Sequence, residues 1–99
     1  MILIRQVYHL KFGMSNQAVS LLKDLLDDFM PDSRAMILTD ISGRDFTVVL
    51  EGEFESLERW EQQRQEGYQR PEFAEWFSKF QEMVEASFTE IYNIEYDQM

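Results

Sequence analysis

Ile2-Leu-Ile-Arg-Gln-Val-Tyr-His-Leu-Lys-Phe12 is the stretch whose reading decides the fold. Its aliphatic and aromatic residues favour a strand. A strand sends alternate side chains to opposite faces. Ile2, Ile4, Gln6, Tyr8, Leu10 and Phe12 then form one row, mostly apolar and suited to lie under helices. Leu3, Arg5, Val7, His9 and Lys11 form the other row, mixed in character and in need of a different cover.

Working outward, Gly13 ends the strand pattern and Ser15 stands where a helix N-cap is wanted. From Asn16 to Met30, Ala18, Leu22, Leu25 and Phe29 recur at i, i+4, i+7 and i+11, widened by Leu21 and Leu26. Asp27 and Asp28 fall near the C-terminus of this helix, where its dipole disfavours anions, and read as a solvated face. Pro31-Asp32-Ser33 ends the helix. Residues 34–41 and 45–54 read as two strands, with Ser42-Gly43-Arg44 as a three-residue hairpin connection. Both faces of that hairpin are apolar: Ala35, Ile37 and Ile41 oppose Met36 and Leu38, while Phe46, Val48, Leu50 and Phe54 oppose Val49. A one-sided antiparallel sheet alternates more cleanly, so this sheet is read as covered twice. Leu57 to Ala86 is helical in composition and is divided at Gly67–Pro71, Pro71 suiting the first turn of the second piece. Phe73, Phe77, Phe80 and Val84 carry its stripe, with Trp76 and Met83 beside it, and Glu75 and Lys79 make an i, i+4 pair. Residues 87–96 read as the last strand, and the tail from Asp97 as a frayed end.

The order strand, helix, strand, strand, split helix, strand is βαββαβ, an α+β ferredoxin-like arrangement with a four-stranded antiparallel sheet. Helices cover one face of such a sheet. An apolar remainder on the other face asks for a second layer, and a second copy meeting sheet to sheet in a two-fold homodimer is the economical one. Ninety-nine residues, 44% hydrophobic, suffice for one packed domain, 1–99. The chain has no cysteine, which removes disulfides, thiolate nucleophiles and Cys-ligated metals. A net charge of −10 opposes binding to nucleic acid and to anionic membrane surfaces. With no bilayer-length apolar run and no signal-peptide pattern at the start, a cytoplasmic protein is expected.

Three segments carry a family resemblance. Ile4-Arg-Gln-Val-Tyr-His-Leu-Lys-Phe-Gly13, Phe54-Glu-Ser-Leu-Glu-Arg-Trp60 and Gln69-Arg-Pro-Glu-Phe73 resemble the opening strand, the strand-to-helix passage and the helix break of the dimeric α/β-barrel superfamily, most of all its NIPSNAP branch. The resemblance implies a homodimer whose two sheets enclose a barrel, with the mixed face of the first strand turned inward. It also brings relatives that include cofactor-independent monooxygenases, haem-degrading enzymes and isomerases. Haem-degrading relatives use a histidine in the later helical region, and none lies between Leu57 and Ala86. The monooxygenases often carry an Asn on an early strand, and the first strand here has Gln6 instead.

His9 is the single histidine, so an imidazole base must be this residue. Arg5 is its neighbour along the same face, and the two make the candidate catalytic pair, with Tyr92 as a further orienting group. The competing reading is a hydrogen-bonded structural histidine, which the sequence favours. Glu51 and Glu53 share a strand face, and Glu51 is a candidate to meet Arg5 across strands, either as a ligand group or as an ordinary ion pair. Trp60, Tyr68 and Tyr92 are candidate ligand-binding residues for a flat, partly apolar molecule, and Trp76 is assigned to the core. No GxSxG, P-loop or dinucleotide motif is present, and Asp24, Asp27 and Asp28 lack calcium-loop spacing. No metal and no cofactor are called for. RNA-recognition modules share the element order, but Arg44-Asp-Phe-Thr-Val-Val-Leu-Glu51 lacks the glycines of their motif. Three functions remain: a homodimeric binder of a small molecule, an enzyme of the monooxygenase or isomerase kind, and a module whose sheet face docks on another protein.

Overall fold

The computed structural model describes residues 1–30 and 34–98. The end assigned to Pro31-Asp32-Ser33 therefore lies outside the described residues, as does Met99. Seven elements follow the chain: β1 (Ile2–Leu10), α1 (Ser15–Phe29), β2 (Ala35–Thr39), β3 (Thr47–Phe54), α2 (Leu57–Tyr68), α3 (Pro71–Gln81) and β4 (Val84–Asn93). The α+β class, the βαββαβ order and the split second helix stand as the sequence foretells.

The strands form one antiparallel sheet in the order β2-β3-β1-β4. β1 is central. Its register sets Ile4 opposite Gly52 and Ile91, Arg5 opposite Glu51 and Glu90, and His9 opposite Thr47 and Ala86. The alternation of β1 thereby spreads across the sheet. Ile2, Ile4 and Leu10 are buried toward the helices together with Val48. The other face collects Leu3, Arg5, Val7, His9, Met36, Leu38, Val49, Glu51, Phe88, Glu90 and Tyr92, and no helix among the described residues covers it.

Apolar residues at helical spacing decide how the helices lie. Ala18 and Leu22 of α1 are fully buried and pack with Leu10, Val48 and Phe80 into one core. Burying a leucine side chain contributes about 2 kcal/mol. Ile2, Ile4 and Trp60 form a second, smaller core with Phe54 beside it. Pro71 opens α3 at its first turn, where a missing N–H costs nothing. Ser56 caps α2, its hydroxyl accepting from the Arg59 N–H at 3.2 Å. Gly13, with φ +77°, turns the chain between β1 and α1.

Five boundaries differ from the sequence reading. β1 ends at Leu10, which leaves Phe12 beyond the strand and 86% exposed, outside the row under the helices assigned to it. Ser15 is the first residue of α1 and not its cap: Met14 holds that position without a side-chain hydrogen bond. The hairpin connection is residues 40–46, not three residues. Asp40 is the reason, because its carboxylate accepts from the Asp45 N–H at 2.7 Å and the Thr47 N–H at 3.1 Å and closes a wider loop. The Thr47 bond, assisted by the Asp45 one, holds the Asp40 carboxyl below its ordinary range. Ile41 in that loop is fully exposed and leaves the apolar row assigned to it. The helix break narrows to Gln69-Arg70, with Gly67 and Tyr68 still in α2. Finally, α3 stops at Gln81 and β4 runs from Val84 to Asn93, three residues ahead of the span read from sequence. The earlier start keeps Phe88 and Tyr92 on one face and leaves Ile94 and Tyr96 beyond the strand.

Candidate functional site

The two cores do not meet. Between them, under α2 and α3, lies a cavity of about 260 Å³. Its floor explains it. Ala35 and Gly52 pair across β2 and β3 at this point, and neither has a side chain beyond a methyl group. Tight packing needs large residues opposite small ones; the Phe54 ring leans over Gly52, 3.3 Å from where a Cβ would stand, and space is left beside Ala35.

Aromatic rings wall the space. Phe73 stacks on Trp76 at 5.7 Å and on Phe77 at 5.9 Å, and Trp76 stacks on Phe80 at 4.9 Å. Tyr68 lies 5.0 Å from Phe73, and Tyr8 meets Phe80 edge-on at 4.9 Å. Such pairs contribute about 0.5–1.5 kcal/mol each beyond burial. The Trp76 indole N–H donates to the Leu21 carbonyl at 2.6 Å, tying α3 to α1. Arg70 adds a second tie: its Nη1 donates to the Asp28 carbonyl at 2.6 Å and its guanidinium sits over the Phe29 ring at 4.5 Å. A cation at a helix C-terminus opposes the unfavourable charge of Asp27 and Asp28.

The polar side of the cavity comes from β1 and α2. Tyr8 donates its hydroxyl to Gln6 Oε1 at 2.6 Å. Burial pushes the Tyr8 phenol up to about 12, the nearby Tyr68 adding to the rise and Arg64 opposing it. The phenol is thus neutral at pH 7. From α2, Trp60, Arg64 and Tyr68 stand at i, i+4 and i+8 on one helix face. The Arg64 guanidinium lies 4.6 Å over the Trp60 ring. Its Nε and Nη2 both donate to the Tyr68 hydroxyl, at 3.2 and 2.9 Å, and Nη1 pairs with Glu61 at 3.2 Å.

The candidate residues from sequence divide between two places. Trp60 and Tyr68 line the cavity. His9, Arg5, Glu51 and Tyr92 lie on the opposite, open face of the sheet. There Arg5 Nε is 3.5 Å from Glu51 and Nη1 is 3.7 Å from Glu90. The first is an ion pair by distance but not a hydrogen bond, because Nε is buried without an aligned acceptor. Tyr92 bonds to Glu90, which raises its phenol pKa. His9 Nδ1 is 3.4 Å from the Thr47 hydroxyl, and its ring is 5.7 Å from Phe88. His9 and Arg5 therefore do not share a pocket with Trp60 and Tyr68, and Tyr92 does not join them. Trp76, assigned to the core, also lines the cavity. Sequence reasoning missed Gln6, Tyr8 and Arg64. The signals were present: two polar residues interrupt the apolar row of β1, and an arginine falls midway between Trp60 and Tyr68 at helical spacing. Among the described residues no three His, Asp or Glu side chains cluster as metal ligands.

No protein-family model matches the chain, and no curated protein matches it. Solved structures do. A NIPSNAP domain protein from Burkholderia xenovorans superposes with a TM-score of 0.85 at 16% identity, over 95% of this chain and 94% of that one. A NIPSNAP family protein from Agrobacterium tumefaciens gives 0.82 at 12% identity, over 97% and 88%. A putative antibiotic biosynthesis monooxygenase from Nitrosomonas europaea gives 0.73 at 13% identity, over 97% and 100%. The resemblance read from the three sequence segments thus extends to the whole backbone: the chain has the fold of the NIPSNAP domain proteins, shared with the monooxygenase-like neighbour.

Proposed function

We propose that this protein is a homodimeric NIPSNAP-like binder of a small, partly apolar molecule, which it holds in the cavity between sheet and helices. The cavity carries this reading. A space of about 260 Å³ walled by Trp60, Phe73, Trp76 and Phe77, with a few converging polar groups, has the character of ligand sites. The dimer rests on the open face: Met36 and Leu38 on one edge strand and Phe88 and Tyr92 on the other are between 37% and 56% exposed in a single chain, and Val49 and Val7 link Leu38 to Phe88 across the sheet.

The monooxygenase reading draws on the Nitrosomonas neighbour. Its difficulty is the lining: no His, Asp, Glu or Lys lines the cavity among the described residues, so no ordinary general base faces a substrate there. His9 would have to act at the open face instead. Binding without catalysis is therefore preferred.

Native mass spectrometry at micromolar concentration tests the assembly, with a dimer expected and a persistent monomer overturning it. Titration with 2-naphthalenemethanol, followed by protein NMR, tests the cavity. Shifts are expected at residues around Trp60 and Phe73 in the wild type. In Gly67→Leu, whose new side chain starts from open space beside the cavity, they should vanish. Shifts that persist unchanged in that variant place the ligand elsewhere.

A further inference from the structure

The chain carries a net charge of −10, yet the one charged side chain lining its cavity, among the described residues, is a cation, Arg64. Among the described residues no carboxylate lines this space, and the nearest ion pair of its cation is with the half-exposed Glu61 outside the lining. Two of the polar groups that line it, Tyr68 and Gln6, are set as donors. Tyr68 takes two N–H bonds from Arg64 on its oxygen, which leaves its own hydrogen to give. Gln6 Oε1 accepts the Tyr8 O–H hydrogen bond, which leaves the amide N–H groups to give. Donors and a cation gathered beside stacked rings ask for one kind of molecule: flat, apolar over most of its surface, and ending in oxygen acceptors with negative charge.

We infer that the cavity selects aromatic carboxylates, the Tyr68 hydroxyl and Arg64 receiving the carboxylate and the aromatic lining receiving the rings. The inference deepens the cavity reading above and depends on it. Size agrees: an apolar cavity of roughly 150 Å³ accommodates benzene, and the 260 Å³ here has room for a second fused ring. A planar carboxylate matches the fork of a guanidinium, which a bulkier anion does not do as well. Glu61, which holds Arg64 Nη1 at 3.2 Å, is half-exposed, and an exposed ion pair of this kind yields at little cost to a ligand carboxylate.

The test compares 2-naphthoate with its neutral counterpart 2-naphthalenemethanol by calorimetric titration at pH 7.5, for wild type, Arg64→Gln and Tyr68→Phe. Circular dichroism and thermal melting of each variant verify its fold. Wild type is expected to prefer the carboxylate by about tenfold or more, the scale of one charge-assisted hydrogen bond. Arg64→Gln should bring the ratio of the two affinities, measured within that variant, close to one. Tyr68→Phe should reduce it by a smaller factor. Equal affinity for the two compounds in wild type overturns the anion selectivity and leaves the cavity standing as a site. A preference that survives Arg64→Gln overturns the role of Arg64. Binding of neither compound sinks the cavity reading and this inference with it.

Discussion

At the scale of single residues, Tyr8 shows how burial sets chemistry. Its phenol lies against Phe80, donates a hydrogen bond to Gln6 Oε1 and has its pKa raised to about 12 by burial. An unfolded tyrosine titrates near pH 10. The fold thus favours the neutral phenol, and the stabilisation is whole below pH 10 and lost as pH climbs from 10 through 12. Denaturation stepped from pH 9 to 12 should show wild type losing roughly 2–3 kcal/mol more than Tyr8→Phe, because each tenfold difference in proton affinity between the folded and unfolded chain is worth about 1.4 kcal/mol. Equal losses would mean that Tyr8 ionises freely in the native state. Tyr92 also has a raised pKa, but its cause is the bond to Glu90, which both proteins share. Near neutral pH, Tyr8→Phe should cost about 1 kcal/mol for the lost hydrogen bond to Gln6.

At the scale of elements, α1 and α2 contribute in different ways. α1 is anchored by Leu22, fully buried among Leu10, Val48 and Phe80. Leu22→Ala should lower the unfolding free energy by about 2–5 kcal/mol in urea titration, by lost burial plus a cavity. A loss under about 1 kcal/mol would mean that α1 does not dock as described. α2 is polar over most of its length and is held by Trp60. Gly67 weakens it, since glycine in a helix is less favourable than alanine by roughly 0.5–1 kcal/mol. Its φ is not positive, and a Cβ there meets nothing within 4 Å. Gly67→Ala should therefore raise stability by about that amount, and a destabilised variant would contradict the helical assignment at this position. That both stretches are helices was legible from apolar spacing and composition, while their packing partners were not. The hairpin loop was not, because Ser42-Gly43-Arg44 looks like a short turn while Asp40 bonds the Asp45 and Thr47 amides. Asp45 and Phe46 take up the strain of that wider loop with φ of 72° and 50°.

At the scale of the whole molecule, the sheet has two faces with different fates. Helices close one face and leave a cavity within it. The other presents Leu38, Phe88 and Tyr92 around the Glu51–Arg5–Glu90 ion pairs, with Val7 and Val49 sunk between them. Among the described residues no helix is long and apolar enough to cross a membrane. Phe88→Glu places a charge in the open face, where the single chain already leaves Phe88 48% exposed. Burying that charge against a second sheet is costly, so sedimentation velocity should show a monomer with unchanged circular dichroism. A variant that stays dimeric would place the contact on another surface. A wild type that is itself monomeric would turn attention to a different protein as the cover for this face.

The sequence by itself determined the element order, the two-sided character of the sheet and the aromatic content of the later helices. Periodicity is local, and βαββαβ leaves few ways to pack. It also held the spacing of Trp60, Arg64 and Tyr68, since three residues at i, i+4 and i+8 share a helix face whatever surrounds them. Only the tertiary structure decided which strand residues that helix face meets. Gln6 and Tyr8 come from the far end of the chain and join Arg64 and Tyr68 because β1 lies centrally in the sheet. The same placement sends His9, Arg5 and Glu51 to the other side: alternate residues of one strand cannot line one pocket. The cavity depends on the register that sets Ala35 against Gly52, and register is a relation between strands that no single stretch contains.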